Sequence, residues 1–455
     1  MLDLIFREYD IRGLYPSELN EKSVKAIGYA LGLVMKEKKC HKISVGYDAR
    51  YSANELFNYL ISGLNKAGMK VYNIGLGPTP MGYFSLFFDD MFDANIMITG
   101  SHNPKEYNGF KITINKESFF GENLKILSKE VQKYLNTDIE DNFQCEAYDI
   151  KNVYIDFLAK HFNHLRNYKE KIVIDCANGA TGVIIRPLTE KLGLNVQILF
   201  EEADGNFPNH APDPTELENL YVLQEVLKKD MQAKMGFAFD GDGDRLVVVS
   251  GDYVFKGDEL CYLFAKNIEN PRVLGEVKCS KNLFDEVAKF GFIMMGKTGH
   301  SNIKAMMKEH NIDLAAELSG HIFFKDRYFG YDDGIYAFLR TLELLAKNYN
   351  LKALVDELPK LYASDEVKLK VSEENKFQII EKFKEKVKAN IFENMLECNE
   401  IDGVRIIFEN GWALLRASNT SPYLIMRTEA TTKDFKDFLQ AKVKETYELI
   451  LKELA

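Results

Sequence analysis

The amino-acid sequence predicts an α/β protein, in which three α/β units are followed by a smaller α+β domain. Over residues 1–250, short apolar runs rich in β-branched residues alternate with amphipathic segments of helical spacing. The alternation restarts near Lys171 and again after Arg272, so the three rounds are candidates for divergent copies of one unit. A chain of 455 residues exceeds what one hydrophobic core usually supports. The expected domains are residues 1–147, 148–251, 252–361 and 362–455.

The first unit is predicted from three apolar runs and one helical segment. Residues 43–47, 71–74 and 95–99 are short apolar runs bounded by polar or turn-forming residues, which predicts strands. Residues 54–66 carry apolar side chains at helical spacing up to Gly68, which predicts a helix between the first two strands. The third strand runs into a polar loop. Ligands in open α/β sheets gather at loops that follow the carboxyl ends of strands, so we expect functional groups there.

The second and third units repeat this arrangement. The predicted elements of the second unit are strands at residues 172–175, 196–200 and 235–239 and a helix at residues 182–192. The third unit contributes polar loops at residues 296–300 and 317–321, each directly after an apolar run. Residues 291–298 also satisfy the nucleotide P-loop pattern, but their apolar centre, residues 292–295, is better buried as a strand. We therefore expect no nucleotide P-loop.

The last part of the chain predicts a separate α+β domain. Asn410 and Gly411 form a strong hairpin signal between two apolar runs. A charged helical stretch precedes the hairpin, and another closes the chain. The predicted elements are strands at residues 367–371, 404–408 and 412–415, helices at residues 375–388 and 433–451, and a hinge near residues 362–365.

The composition limits the classes of partner and compartment. With 58 Lys and Arg against 68 Asp and Glu, the formal charge of −10 argues against nucleic acid or an anionic membrane as the main partner. The six cysteines are scattered without a C-x-x-C pair, which argues against disulfides or zinc and favours a reducing cytoplasm. Asp3 and Arg7 interrupt the N-terminal apolar residues, and no apolar run reaches about 18 residues. We expect a soluble protein that is not exported.

Three aspartates at alternate positions follow the apolar run of residues 236–239. Asp240, Asp242 and Asp244 are separated by glycines, whose backbone freedom lets three carboxylates converge on one ion. Ligation by oxygen atoms alone selects a hard cation such as Mg²⁺. The alternative is an acidic surface turn, but neighbouring like charges repel unless a counter-charge compensates them. This segment therefore predicts a Mg²⁺ site at the end of a strand.

A second candidate motif is the loop Thr-Gly-Ser-His-Asn-Pro at residues 99–104. Ser101 lies between a glycine and a turn that ends in proline, which is a suitable place for an exposed nucleophile. A serine hydroxyl is a weak nucleophile unless a base or a metal activates it. Because Ser, Asn, Gly and Pro are also the commonest turn formers, a purely structural turn is an equal alternative.

A third candidate motif is Arg-Ala-Ser-Asn-Thr-Ser-Pro at residues 416–422. One guanidinium precedes four side chains that can donate hydrogen bonds, and the amides of such a loop can bind an anion. The motif is therefore a candidate phosphate clamp. The alternative is a polar connection between two strands, with Arg416 in a surface ion pair.

Taken in chain order, these motifs resemble one family, the α-D-phosphohexomutases, and most closely its bacterial phosphomannomutase/phosphoglucomutase group. The resemblance begins with Phe-Arg-Glu-Tyr-Asp-Ile-Arg-Gly at residues 6–13 and covers essentially the whole chain. It continues through the serine loop, the aspartate triplet, Gly-Lys-Thr-Gly-His at residues 296–300, Glu-Leu-Ser-Gly-His at residues 317–321 and Arg-Ala-Ser-Asn-Thr at residues 416–420. It implies three similar α/β domains with mixed sheets and a smaller C-terminal domain around a central cleft.

The resemblance also implies a role for individual residues. Ser101 would be the phosphoserine that transfers its phosphoryl group, with Mg²⁺ held by Ser101, Asp240, Asp242 and Asp244. The reacting end would be lined by Tyr9, Arg12, His102, Asn103, Lys111 and Arg245, with Lys111 and His321 as the acid/base pair. The remaining substrate contacts would be Glu317 and Ser319 on sugar hydroxyls, Lys278, His300 and His321 on the sugar loops, and Arg416, Ser418, Asn419 and Thr420 on the non-reacting phosphate.

The activity implied by the resemblance is interconversion of hexose 6-phosphate and hexose 1-phosphate, for mannose, glucose or both. The implied intermediate and activator is glucose or mannose 1,6-bisphosphate, and the expected partners are small sugar phosphates bound by a monomer. Leu318 replaces the Gln of phosphoglucosamine mutases, which disfavours an amino sugar, whereas Ala316 and Ala211 stand where relatives often carry Gly and His. A phosphoglucosamine mutase and a non-catalytic sugar-phosphate-binding protein remain the alternatives.

Overall fold

The computed structural model describes residues 2–372, 374–419 and 422–454. These residues form two compact units. Unit 1 contains Met1–Gly257 and Ser319–Asn350, and unit 2 contains Asp258–Leu318 and Leu351–Ala455. Within the described ranges, no helix combines the length and the apolar character that crossing a membrane requires. Short 3-10 helices lie at Leu2–Ile5, Asn163–Asn167 and Leu217–Leu220.

The first part of unit 1 is a seven-stranded mixed sheet with helices packed against it. Its elements are β1 (Ile11–Leu14), α1 (Glu21–Glu37), β2 (Lys42–Tyr47), α2 (Ala53–Lys66), β3 (Lys70–Leu76), α3 (Thr79–Phe87), β4 (Ala94–Ile98), β5 (Tyr107–Ile114), β6 (Glu117–Ser118), α4 (Glu122–Tyr134) and β7 (Glu146–Ala147). The strand order is β1-β5-β4-β2-β3-β7, with β6 beside β5. Strands β4, β2 and β3 are parallel, whereas β5 is antiparallel to both β1 and β4. The core is formed by apolar side chains of α1, α2 and α4 against the strands.

The next part of unit 1 carries the aspartate triplet on a five-stranded sheet. Its elements are α5 (Ile150–His161), β8 (Lys171–Asp175), α6 (Gly182–Leu192), β9 (Val196–Leu199), α7 (Tyr221–Lys229), β10 (Ala233–Phe239), β11 (Leu246–Ser250) and β12 (Tyr253–Phe255). The order is β12-β11-β10-β8-β9, with β10 parallel to β8 and antiparallel to β11. The triplet therefore occupies the short connection between two antiparallel neighbours, where a buried strand ends.

The first part of unit 2 contains three parallel strands. Its elements are α8 (Gly257–Ala265), β13 (Arg272–Glu276), α9 (Lys281–Val287), β14 (Phe292–Gly296), α10 (His300–Glu309) and β15 (Leu314–Ala316). Strand β13 lies between β14 and β15. The strand predicted at residues 292–295 is confirmed, but its expected burial is wrong, because β14 is an edge strand and Phe292 is 44% exposed.

Residues 319–350 return to unit 1 and contribute β16 (Ile322–Phe324) and α11 (Gly334–Ala346). The Asp333 carboxylate caps α11 by accepting a hydrogen bond from the Tyr336 N–H over 2.9 Å. It also accepts hydrogen bonds from the hydroxyls of Tyr154 and Tyr328, over 2.8 and 2.7 Å. These contacts hold the segment before α11, which contains the neighbouring Asp332, in a fixed position.

The C-terminal part of unit 2 is an antiparallel sheet with two long helices. Its elements are α12 (Leu351–Asp356), β17 (Tyr362–Ala363), β18 (Val367–Lys370), α13 (Lys376–Lys388), β19 (Glu397–Asn399), β20 (Val404–Phe408), β21 (Gly411–Ala417), β22 (Tyr423–Ala430) and α14 (Lys433–Leu454). The order is β17-β22-β21-β20-β19, and β18 also pairs with β22. The predicted Asn-Gly hairpin joins β20 to β21. Strand β17 lies within the expected hinge at residues 362–365 and pairs with β22, so this linker is tied to the sheet.

Candidate active site

Ser101 is buried in the loop between β4 and β5 and has a left-handed backbone conformation. Its φ of +49° is rare for a residue with a side chain, unless surrounding contacts hold it there. The Ser101 N–H donates a hydrogen bond to the Thr99 hydroxyl over 2.8 Å. The loop is therefore a constrained turn that holds the serine Oγ in one place.

The Arg50 guanidinium supplies much of this constraint. Arg50 is buried, and its Nε donates to Asp48 over 3.2 Å, so the buried charge is paired. Gly100 is required beside it, since a Cβ at this position would lie 2.5 Å from the guanidinium carbon. Over 2.6 to 2.8 Å, the two terminal nitrogens donate to the carbonyl oxygens of Ser101, Asn103, Pro104 and Tyr107.

Arg50→Lys is expected to lower the free energy of unfolding by about 3 kcal/mol, because one ammonium cannot reach four loop carbonyls. Urea titration of the purified protein measures this loss. Arg186→Lys is the matched control, since that side chain is 50% exposed in its ion pair with Glu201. It should change the free energy of unfolding by less than about 0.5 kcal/mol. If the two variants lost equal stability, the guanidinium of Arg50 would not be what holds the loop.

Ser101 meets the aspartate triplet, although it lies 139 residues from Asp240 in the chain. The Ser101 hydroxyl donates a hydrogen bond to Asp240 Oδ2 over 3.1 Å. The carboxylates of Asp240, Asp242 and Asp244 are fully buried and offer oxygen atoms within 4.8 Å of one another. Gly243, at a φ of +72°, provides the turn that directs the last two toward the first.

The triplet has the features of a divalent-cation site. Within the described part of the chain, no group donates a hydrogen bond to the buried Oδ1 atoms of Asp242 and Asp244. Burial raises the pKa of Asp240 to about 7, and the charges of Asp244 and Asp242 add to this rise, while Arg245 opposes it. A hard cation coordinated by these oxygens would satisfy them and compensate the clustered charge. The donor set therefore fits Mg²⁺.

Lys111 and Arg245 place positive charge against the triplet. The Lys111 ammonium, on β5, contacts Oδ2 of Asp242 over 2.7 Å and also Oδ2 of Asp244. Burial disfavours the charged form of Lys111, but these two carboxylates outweigh burial and hold its pKa well above the usual value. Arg245 Nε donates to Asp240 Oδ2 over 2.9 Å, and its Nη1 lies 3.3 Å from Asp213. Asp213 was not predicted from the sequence, because it lies in a proline-rich stretch without a clear catalytic pattern.

Arg12 and His102 lie close to the serine loop. Arg12 Nη1, on β1, donates to Asn103 Oδ1 over 2.7 Å and to the Gly100 carbonyl over 3.2 Å. Strand β1 reaches the loop because it pairs with β5, which places Arg12 opposite Gly109. His102 is exposed, with its Nδ1 3.3 Å from Ser101 Oγ. Tyr9 is partly exposed next to β1.

His321 lies on the far side of the triplet and faces two carboxylates. Its Nδ1 is 3.0 Å from Asp332 Oδ2 and 3.6 Å from Asp244 Oδ1. A bridge between the backbones of Arg245 and His321 brings this segment to the triplet. A carboxylate at Nδ1 keeps the proton on that nitrogen and directs proton exchange to Nε2. Asp332 was not predicted, because two adjacent acids before a helix are typical of a helix cap and carry no signal for a catalytic site.

Three loops of unit 2 meet where the parallel strands end. The Glu317 carboxylate is buried and accepts a hydrogen bond from the Gly299 N–H over 2.5 Å. Glu276 accepts hydrogen bonds from the Lys278 N–H, the Thr298 hydroxyl and the Leu318 N–H, over 2.8, 3.0 and 3.2 Å. Glu276 was not predicted from the sequence, yet it connects three segments that contain or lead into the predicted substrate contacts Lys278, His300 and Glu317.

The predicted substrate contacts differ in their surroundings. His300, expected as a loop residue, is instead the first residue of α10. Lys278 Nζ is 2.7 Å from Glu366, and Ser319 is partly exposed at the start of the second segment of unit 1. Arg416 is buried at the end of β21, the buried Ser418 and the partly exposed Asn419 follow it, and Thr420 lies outside the described residues.

The predicted site residues divide between the two units by chemical role. The groups predicted for metal binding and phosphoryl transfer all lie in unit 1: Ser101, the three aspartates, Lys111, Arg12, His102, Arg245 and His321. Most of the predicted sugar and phosphate contacts lie in unit 2: Lys278, His300, Glu317, Arg416, Ser418 and Asn419. The loop at residues 317–321 crosses the boundary between them.

Family models match nearly the full chain. Models for phosphoglucomutase/phosphomannomutase α/β/α domains I, II and III match residues 3–137, 152–253 and 256–362, and the model for the C-terminal domain matches residues 366–445. The chain belongs to the phosphoglucomutase/phosphomannomutase family. The predicted fold class, three α/β domains with a smaller C-terminal domain, is thereby confirmed.

Relatives within this family are similar over most of their length. A phosphomannomutase/phosphoglucomutase of Pseudomonas syringae pv. tomato is 41% identical over 451 residues, with 95% of this chain and 92% of that protein covered. A phosphoglucomutase of Neisseria gonorrhoeae is 38% identical, with 98% and 96% covered. The crystal structure of a family protein from Burkholderia thailandensis has a TM-score of 0.90, 35% identity and 98% coverage of both chains.

Membership of the phosphoglucomutase/phosphomannomutase family agrees with the chemistry of the triplet. The family consists of Mg²⁺-dependent phosphotransferase mutases, and this member has three buried carboxylates that can hold such an ion. The alternative of an acidic surface turn is wrong for this segment, since Asp240, Asp242 and Asp244 are all fully buried. These carboxylates are therefore buried groups of the fold rather than part of a solvated loop.

Proposed function

We propose that this protein interconverts hexose 6-phosphate and hexose 1-phosphate, for mannose, glucose or both, through a phosphorylated Ser101. The observation that carries the proposal is the contact of 3.1 Å between Ser101 Oγ and Asp240, within a buried triplet of aspartates. A hydroxyl held against a cation site and surrounded by cationic side chains is equipped for reversible phosphoryl transfer. The names of the relatives support the same activity for this chain.

In the first transfer, the bond between phosphorus and Ser101 Oγ breaks while a bond forms between phosphorus and a hydroxyl of the bound hexose monophosphate. The hydroxyl proton passes to a base, and the product is a hexose 1,6-bisphosphate. In the second transfer, the bond between the other phosphorus and its sugar oxygen breaks while a bond forms between that phosphorus and Ser101 Oγ. The serine hydroxyl gives up its proton to a base and the freed sugar oxygen takes one, so the enzyme ends phosphorylated as it began. Mg²⁺, when bound by Asp240, Asp242, Asp244 and the Ser101 phosphate, would neutralise charge on the moving group.

The side chains around Ser101 supply the remaining charge and proton transfer. Arg12 and Arg245 lie around the serine loop and can neutralise the phosphoryl oxygens, and His102, next to Ser101, can donate a hydrogen bond to them. We propose His321 and Lys111 as the acid/base pair. Asp332 orients His321 so that its Nε2 exchanges the proton. The Lys111 ammonium, held against Asp242 and Asp244, would be the proton donor of the pair.

Recognition of the sugar is proposed for unit 2 and the loop that leaves it. Glu317 and Ser319 would bind the 3- and 4-hydroxyls of the sugar. These hydroxyls are equatorial in both mannose and glucose, so the same contacts would serve either sugar. Lys278 and His300 would complete this part of the site. The non-reacting phosphate would be bound by Arg416, Ser418, Asn419 and Thr420. Glucose or mannose 1,6-bisphosphate is the proposed activator, since it phosphorylates Ser101 directly.

The proposed setting is a monomeric enzyme of the cytoplasm that acts on diffusible sugar phosphates. The net charge of −10, which disfavours nucleic acid, supports small molecules as partners, and the scattered cysteines without a C-x-x-C pair support the cytoplasm. Because the net charge of the protein is negative, an anionic substrate would be attracted by local cationic groups such as Arg12, Lys111 and Arg245.

Coupled assays with mannose 1-phosphate, glucose 1-phosphate and glucosamine 1-phosphate test the proposed function. We expect kcat/KM for the mannose or glucose substrate to exceed that for the amino sugar, because Leu318 offers no polar group to an amino substituent. The highest kcat/KM with glucosamine 1-phosphate would instead assign the protein as a phosphoglucosamine mutase. No turnover of any of the three would favour a non-catalytic sugar-phosphate-binding protein.

A further inference from the structure

The turn at residues 400–403, between β19 and β20, places one carboxylate against two predicted substrate-binding loops. Asp402 Oδ2 accepts a hydrogen bond from Arg416 Nε over 3.0 Å. The same oxygen accepts a hydrogen bond from the Thr298 N–H, also over 3.0 Å. The Asp402 side chain is 14% exposed and that of Arg416 is 5% exposed, so little solvent competes for this contact.

The turn is built to lie directly on Arg416. Pairing of β20 with β21 places Val404 opposite Leu415, so the turn continues alongside the next residue of β21, which is Arg416. Gly403 has a φ of +79°, and a Cβ there would lie 2.5 Å from the Arg416 Cβ. Any other residue would push the turn away. The glycine thus brings the preceding Asp402 within hydrogen-bonding distance of the guanidinium.

The second partner of Asp402 is the Thr298 N–H, in the motif of residues 296–300 that connects β14 to α10 and its first residue, His300. This loop is held from its own side by Glu276, which accepts from the Thr298 hydroxyl, and by Glu317, which accepts from the Gly299 N–H. Asp402 adds a contact from the C-terminal domain. One oxygen atom therefore connects the candidate phosphate clamp with the candidate sugar-binding loops, and all of these groups lie in unit 2.

We propose that Asp402 is a positioning residue, which orients the Arg416 guanidinium toward the non-reacting phosphate and keeps the loop at residues 296–300 in register with it. This inference rests on the proposed function, because it requires Arg416 to bind that phosphate. A hydrogen bond at Nε fixes the rotation of the planar guanidinium, and a side chain ordered before the substrate arrives loses less freedom on binding.

The charge of Asp402 and its geometry have opposite effects on phosphate binding. A carboxylate next to Arg416 weakens the attraction of the guanidinium for an anion, whereas the hydrogen bond to Nε aims it. Asp402→Asn separates the two effects, because its carbonyl oxygen can accept both hydrogen bonds without the negative charge. Asp402→Ala removes both. If positioning dominates, the alanine variant binds substrate poorly and the asparagine variant binds it normally.

The test is steady-state kinetics of the full chain with mannose 1-phosphate and glucose 1-phosphate at saturating Mg²⁺. Asp402→Ala should raise KM about tenfold while kcat stays within about twofold, since the phosphate held by Arg416 does not react in the step during which it is held there. Asp402→Asn should keep KM within about twofold of the wild type. Glu400→Gln, in the same turn and paired only with the exposed Lys388 among the described ion pairs, should leave both constants unchanged.

Two outcomes overturn the proposal: a wild-type KM for Asp402→Ala, or an Asp402→Asn variant as impaired as the alanine variant. A raised KM for a folded Asp402→Asn variant overturns the proposal even if the alanine variant does not fold, which circular dichroism would reveal. Arg416→Ala distinguishes the positioning role of Asp402 from the proposed phosphate binding by Arg416, on which that role depends. A wild-type KM for Arg416→Ala would remove the phosphate clamp itself, whereas a raised KM for Arg416→Ala with a normal Asp402→Ala removes only the positioning role.

Discussion

Ser101→Ala is expected to abolish turnover, with kcat reduced about 10³-fold or more. The reason is that alanine has no oxygen to carry the phosphoryl group, and the variant loses the hydroxyl that donates a hydrogen bond to Asp240 of the triplet. Coupled assays at saturating hexose 1,6-bisphosphate measure the loss. Intact-mass spectrometry should detect phosphate on the wild type after treatment with the bisphosphate and none on the variant.

Ser17→Ala is the matched control for this experiment, because Ser17 is an exposed serine of the same domain. Its kcat and its phosphorylation should equal those of the wild type. Thermal unfolding of both variants separates a lost nucleophile from a lost fold. Retention of turnover by Ser101→Ala, with the protein folded, would remove the phosphoserine mechanism and leave the binding function alone.

Removal of divalent cations should lower kcat at least about 100-fold, and Mg²⁺ should restore it. Three buried carboxylates lie against the Ser101 hydroxyl, and the buried Oδ1 atoms of Asp242 and Asp244 receive no hydrogen bond from the described residues. The raised pKa of Asp240 shows that burial and the neighbouring carboxylates disfavour another negative charge here. Without a cation, the reacting end therefore lacks the counter-charge that would compensate these carboxylates and the phosphoryl group. Dialysis against a chelator, followed by titration with Mg²⁺ in the coupled assay, measures both effects.

Asp244→Asn extends this prediction to a single ligand. We expect turnover to stay low at any Mg²⁺ concentration, because an amide supplies one neutral oxygen in place of a carboxylate. Asp252→Asn is the control, since that side chain is 79% exposed in its ion pair with Lys228. Full activity of the wild type after chelation, or of Asp244→Asn in Mg²⁺, would show that the triplet does not hold the cation that the reaction needs.

Local sequence patterns predicted much of the secondary structure. They missed segments that become strands only because they pair with neighbouring strands. The strands at residues 43–47, 71–74 and 95–99 were recognisable because they are apolar on both faces and end in turns. Strand β5 was missed, since Asn108 and Gly109 resemble a turn. Pairing with β1 on one side and β4 on the other makes it a buried strand, and this pairing is not encoded in its local composition.

The candidate site shows the same division. Clusters such as the aspartate triplet were recognisable because several unusual residues stand at fixed spacing in one segment. Asp332, Asp213, Glu276 and Arg50 were missed, since none of them belongs to a segment with the residue types and spacing of a catalytic or metal-binding motif. Their importance comes from the groups they contact, such as the four loop carbonyls around Arg50.

Side-chain chemistry and the ends of individual strands follow from short-range order along the chain, and that is why the carboxylates, the serine turn and the arginine loop could be named without coordinates. Their meeting could not. Ser101 reaches Asp240 because two separate sheets end at the same place, and Arg416 reaches Asp402 because a glycine turn lies on β21. Such contacts arise from packing between distant segments, whose free energy depends on the whole fold rather than on any local pattern.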